Sequence, residues 1–123
     1  MVDSDGRMIK AADIAAVEHT PGGSLRSVQQ ADHGLGAFSV AMSDNPPGQG
    51  AIEHRHSCGE VFVVYEGRGI YTIGETDIVA EPGDVVIVPA NTWHSFRSDG
   101  ETRLRHLAVF DSGRIDFEIP STP

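Results

Sequence analysis

Cysteine is almost missing from this chain. Cys58 stands alone among 123 residues, so no internal disulfide can form. A lone thiol fits a reducing compartment, and a cytoplasmic protein is expected. Lysine is equally scarce: Lys10 accompanies eight arginines, and the net charge is −9. A balance this acidic lacks the basic patches that neutralise phosphates, so neither nucleic acid nor an anionic membrane surface is an expected partner. The acidity serves solubility instead. Long apolar runs are absent too. The longest aliphatic stretch, Val85–Val88, falls far short of the roughly 20 residues that a spanning helix needs. The first twenty residues carry Asp3, Asp5, Asp13 and Glu18 and no apolar run of signal length, so no secretory signal is expected.

What remains is a chain long enough for one core and too short for two. Met1 to Arg7 is polar and expected to fray. Lys10 to Val17 is alanine-rich and predicts two helical turns, cut off by Pro21-Gly22-Gly23. So short a helix needs something to pack on. From Leu25 the pattern turns to β. The predicted strands are Leu25–Gln29, Ala37–Ser43, Ala51–His56, Glu60–Tyr65, Gly69–Ile73, Thr76–Ala80, Asp84–Val88, His94–Arg97, Arg103–Phe110 and Arg114–Ile119. Turn residues separate them, as at Asp44 to Gly48 and Glu81-Pro82-Gly83. Many short, evenly spaced strands predict an all-β sandwich or barrel. The expected organisation is an N-terminal segment over 1–24 lying on the barrel or a partner, a barrel over 25–119, and a tail over 120–123.

The chemistry concentrates between Gly48 and Gly67. His54 and His56 are two apart, which places both on one face of a strand. Glu60 follows four residues later, and His94 comes after further strand-like segments. Three imidazoles and a carboxylate make a transition-metal ligand set, accepting Fe, Mn, Ni, Zn, Co or Cu. A second pattern runs Gly83, Pro89, His94.

These two patterns resemble the paired motifs of the cupin superfamily. Gly48, His54, His56, Glu60 and Gly67 occupy every fixed position of the first, G-x5-H-x-H-x3-E-x6-G. Gly83, Pro89 and His94 match the second, in which Asn91 replaces a glycine and Ser98 an asparagine. Asparagine tolerates positive φ, so Asn91 can serve a glycine turn. The resemblance implies a double-stranded β-helix, or jelly-roll barrel, holding one divalent metal on His54, His56, Glu60 and His94. It also implies, as neighbours, dioxygenases, isomerases, cyclases and decarboxylases that coordinate a small organic substrate through two open metal positions. A non-catalytic binding or sensor module is the alternative, and a metal that only braces the barrel is a third.

Alternation assigns the faces. If the ligands point inward, so do Ile52, Phe62, Val64 and Phe96, while Val61, Val63 and Tyr65 face out. On the last long strand Leu104, His106, Ala108 and Phe110 share the inward face. Ile52, Phe62, Phe96, Leu104 and Phe110 are therefore the expected substrate pocket, with His106 as a helper base or substrate hydrogen-bond partner. Cys58 reads as a small filler, Trp93 as a core or subunit contact, and His19 and His33 as surface residues. The outward apolar set needs cover in so small a protein, which predicts a homodimer.

Overall fold

The computed structural model describes residues 6–121. The start of the expected frayed segment and the end of the expected tail, 1–5 and 122–123, lie outside the described residues. Among the described residues, ten strands form two antiparallel sheets. They are β1 (Ala16–Val17), β2 (Ser24–Val28), β3 (Ser39–Asn45), β4 (Gly50–His54), β5 (Glu60–Glu66), β6 (Gly69–Ile73), β7 (Thr76–Ala80), β8 (Val85–Val88), β9 (His94–Ser98) and β10 (Leu104–Phe110). One sheet has the order β1-β2-β3-β10-β5-β8, the other β4-β9-β6-β7. The result is the expected all-β double-sheet barrel.

Sequence alternation becomes burial alternation. β3, the first five residues of β5, and β10 bury every second residue. Phe62, Val64, Tyr71, Val86, Val88, Leu104 and Phe110 are core residues, each no more than 4% exposed. Val61 and Val63 turn outward as expected.

Four expectations are corrected. The N-terminal helix shrinks to a single 3-10 turn, Ala11–Asp13, and Ala16–Val17 instead pairs with β2. A sheet edge supplies hydrogen bonds that two isolated helical turns cannot keep in water. A four-residue helix, α1 (Gln30–His33), appears where none was expected, closed at its N-terminus by a reciprocal Gln29–Asp32 cap. Arg114–Ile119 is not a strand but a strap, joined to the barrel by one bridge between Arg55 and Glu118. The strand with the two histidines ends at His54 and contains a bulge between Ala51 and His54 against β9. The extra residue breaks alternation, so Ile52 is 70% exposed rather than pointing into the core.

The two departures from the family motif are absorbed locally. Asn91 adopts φ 61, the left-handed value for which a glycine would otherwise be used. The Ser98 hydroxyl donates to the Thr102 carbonyl (2.6 Å) and accepts from the Gly48 amide (3.0 Å), tying the loop before β4 to the end of β9.

Gly50 sits where β4 meets β9. A Cβ there would lie 1.9 Å from the Phe96 carbonyl oxygen, against backbone that cannot step aside. Gly50→Ala should destabilise the barrel by about 3 kcal/mol or more, since it must part the strands carrying His54 and His94. Calorimetry should show a melting point lower by roughly 10 °C or more. Gly74→Ala, with open space at its Cβ, should lose only about 1 kcal/mol for its positive φ.

Candidate metal centre

The barrel brings all four expected ligands together. His54, His56, Glu60 and His94 each offer one ligand atom, and these atoms lie within 4.8 Å of one another. They come from the end of β4 and the extended backbone after it, the start of β5 and the start of β9. Glu60, His56 and His94 are buried, and His54 is half-buried at the open side. Glu60 Oε1 lies 2.9 Å from His94 Nε2 and 3.3 Å from His56 Nε2.

The imidazoles are oriented by backbone. His54 Nδ1–H donates to the Ile52 carbonyl (2.7 Å), and His94 Nδ1–H donates to the Thr92 carbonyl (2.8 Å). His56 Nδ1–H donates to the Asp116 carbonyl on the strap. A carbonyl only accepts, so every Nδ1 carries a proton, and each ring in its neutral form presents an Nε2 lone pair. The buried His56 Nε2 has no hydrogen-bond partner, although Glu60 Oε1 lies 3.3 Å away. A buried carboxylate facing three such nitrogens lacks a cation, so the donor set fits a divalent transition metal.

Electrostatics favours the ligand forms of His54 and Glu60, but not that of His56. Burial, with His94 and His56 alongside, pushes the His54 pKa below its ordinary value and favours the neutral ligand form. Burial alone would raise Glu60, but the imidazoles of His56 and His94 outweigh it and hold the carboxyl below the usual carboxylate range. His56 also loses basicity to burial, yet Glu60 and the Asp116 carbonyl more than restore it, and its pKa is raised.

The centre opens on a cavity of about 600 Å³ lined by Phe62, Phe96 and Phe110 as expected, and by His106. Ile52 is only at its rim, for the reason given by the bulge. Leu104 does not line it. It lies at the far end of β10 from Phe110, buried against Gly69 and Tyr71. The strap supplies Ile115, Phe117 and Ile119 to the wall. His19, expected on the surface, also lines the cavity and donates from Nε2 to Asn45 Oδ1 (2.6 Å). No local pattern marks His19, whose loop reaches the barrel only because β1 pairs with β2. The strap was hidden by its strand-like alternation. Trp93 stacks under the Arg55 guanidinium at 4.4 Å. Cys58 is half-buried against the core, and burial with Asp111 and Asp116 nearby raises its thiol pKa, in keeping with a filler.

His106 is almost fully buried, with Nδ1 2.6 Å from the Tyr71 hydroxyl. Burial lowers its pKa to about 3 and raises that of Tyr71. Tyr71 therefore stays protonated and donates to Nδ1, leaving His106 with an Nε2–H. At neutral pH this ring is a hydrogen-bond donor and a poor base.

A double-sheet barrel with three histidines and a glutamate at one end of an apolar cavity defines a class of metal-binding β-barrels. The cupin-domain family model matches residues 42–110, more than half of the chain, and the protein belongs to the cupin family. A cupin 2 conserved barrel domain protein from Rhodopseudomonas palustris superposes with a TM-score of 0.70 at 27% identity, covering 80% of this chain and 67% of that one. Gentisate 1,2-dioxygenase from a Ralstonia species is 29% identical over 115 residues, 85% of this chain and 31% of that protein. Quercetin 2,3-dioxygenase from Bacillus subtilis is 38% identical over 65 residues, 52% of this chain and 19% of that protein. The chain thus spans about a third or less of the length of these curated relatives.

The His106 pKa gives a stability prediction. Its folded value, about 3, is below the ordinary 6.5 of an unfolded histidine. The unfolded chain therefore binds the proton first. Stability from this group is complete above pH 6.5 and is lost as pH falls toward 3, by about 1.4 kcal/mol per pH unit. Urea unfolding of His106→Phe should show a shallower decline across that window than the parent protein.

Proposed function

We propose that this domain is a metal-dependent enzyme on a small organic substrate, with His54, His56, Glu60 and His94 holding one divalent transition ion. The convergence of four ligand atoms within 4.8 Å, with each Nδ1 fixed by a carbonyl, carries this reading. Such an ion would supply Lewis-acid polarisation of substrate oxygens and, if redox-active, a route to dioxygen chemistry. The dioxygenase names of the two curated relatives support an oxygenase-type reaction over isomerisation, cyclisation or decarboxylation.

The protein's own groups do the rest. Phe62, Phe96 and Phe110 exclude water around the reacting atoms and strengthen every charge interaction there. His106, held by Tyr71, offers its Nε2–H to a substrate oxygen on the cavity wall. We propose this donor role for it in place of the helper base. Binding without turnover is the competing reading and is separated by assay: iron-loaded protein should consume oxygen with a chelating substrate, and retention of that compound unchanged would establish a binding module.

Metal uptake tests the ligand assignment directly. Calorimetric titration with Co²⁺ should give one site per chain. His94→Ala should weaken it by at least about 100-fold while the far-ultraviolet spectrum stays that of the folded barrel.

The proposal includes a homodimer. Among the described residues Tyr65, Val85 and Ile87 are more than half exposed on the neighbouring strands β5 and β8, and β8 is the unpaired edge of its sheet. Sedimentation should give a dimer, and Ile87→Glu should shift it to monomer. No described helix is long and apolar enough to cross a membrane.

A further inference from the structure

The cavity's chemistry narrows the substrate, on the assumption that the metal reading above holds. Its wall combines apolar side chains (Leu25, Phe62, Phe96, Phe110, Ile115 and Phe117 among them) with neutral hydrogen-bonding groups on Thr20, Ser27, Gln29 and Ser43. Among the described residues that line it, none is an arginine or a lysine. Four of the arginines are engaged in ion pairs elsewhere. Arg103 and Arg105 pair with Asp44, Arg68 with Asp99, and Arg55 with Glu118 at 2.6 Å. His106 is held neutral by burial. A carboxylate or phosphate placed beyond the metal would lose its water and meet no arginine or lysine.

The charge of the centre points the same way. A divalent ion with one carboxylate and three neutral imidazoles retains a single positive charge. One singly ionised oxygen pair neutralises it. A second anionic group would find apolar side chains and neutral hydrogen-bonding groups but no arginine or lysine, in a protein that already carries −9. The mouth agrees: Ile52, Phe117 and Ile119 stand 70%, 66% and 51% exposed around it. Exposed apolar side chains grouped at a cavity entrance mark a surface that receives apolar matter. The volume, about 600 Å³, suits a drug-sized molecule rather than a two-carbon acid.

We propose that the site selects an apolar-bodied compound presenting one pair of adjacent oxygen donors, of the catechol, enediol or α-hydroxyketone kind, and no second anionic group. The chelating pair meets the centre at His54, His56, Glu60 and His94, and the body lies along Phe62, Phe96 and Phe110 toward the strap.

A matched pair of catechols tests this on the full chain loaded with Co²⁺ and kept under nitrogen. Methyl 3,4-dihydroxybenzoate and 3,4-dihydroxybenzoate share the donor pair and differ in a distant charge. Calorimetric titration, with the visible cobalt band as a second readout, should show the ester binding at least about tenfold more tightly than the acid. Equal affinity, preference for the acid, or binding of neither overturns the proposed selectivity while the metal reading stands. Failure of the protein to take up Co²⁺ at the outset would instead overturn the metal reading, so the two failures are distinguishable.

Discussion

Three ring nitrogens bonded to three backbone carbonyls hold this site in its working form. Each Nδ1–H is committed to the main chain, which turns the other ring nitrogen of His56 and of His94 to Glu60. Side chains could rotate away from one another, but carbonyls fixed in a sheet or strap cannot. The demand explains local features that otherwise look like irregularities. The bulge in β4 sets the distance between the Ile52 carbonyl and His54. The loop before β9 places the Thr92 carbonyl beneath His94. The strap exists, in part, to bring the Asp116 carbonyl to His56. Ser57 reinforces it, donating from both its amide and its hydroxyl to the Asp116 carboxylate.

The candidate ligands were legible because side-chain type and spacing suffice to name them, and because short strands between glycines leave little choice of fold. Gly69–Ile73 and Thr76–Ala80 form over the expected residues. The inward face of Leu104, His106, Ala108 and Phe110 follows from period-two alternation alone. What could not be read was whatever depends on a partner distant in sequence. His19 becomes a cavity residue through Asn45, twenty-six positions on. Ile52 left the core because one extra residue in β4 shifted its register against β9. Leu104 has the right parity, but it lies at the wrong end of its strand, where position along the barrel axis matters more than face. Arg114–Ile119 alternates like a strand, yet meets the edge strand β4 only just past its end, through a single bridge at Arg55.

The cavity is asymmetric in charge. One wall gathers Glu60 with His54 and His56, and the rest is largely apolar, with His19, His106 and a few neutral hydrogen-bonding groups. No arginine is among its described lining, and Arg55, Arg68, Arg103 and Arg105 pair with Glu118, Asp99, Asp44 and Glu66 outside it. That separation lets a small barrel keep a polar centre without flooding it. Hydrogen bonds and charges act strongly there because the surrounding aromatic rings keep the local dielectric low. Tyr71 and His106 show the same economy: a buried hydroxyl and a buried imidazole satisfy each other and leave one donor for the cavity.

The strap divides its labour by parity. Ile115, Phe117 and Ile119 face the cavity, while Asp116 and Glu118 grip His56, Ser57 and Arg55. Recognition and attachment thus occupy alternate positions of one six-residue segment that belongs to neither sheet. Evolution can recut the shape of the pocket by exchanging every second residue there, at little risk to the barrel or to the ring that the carbonyl of Asp116 steadies. A lineage of such proteins could diversify its ligands through three codons.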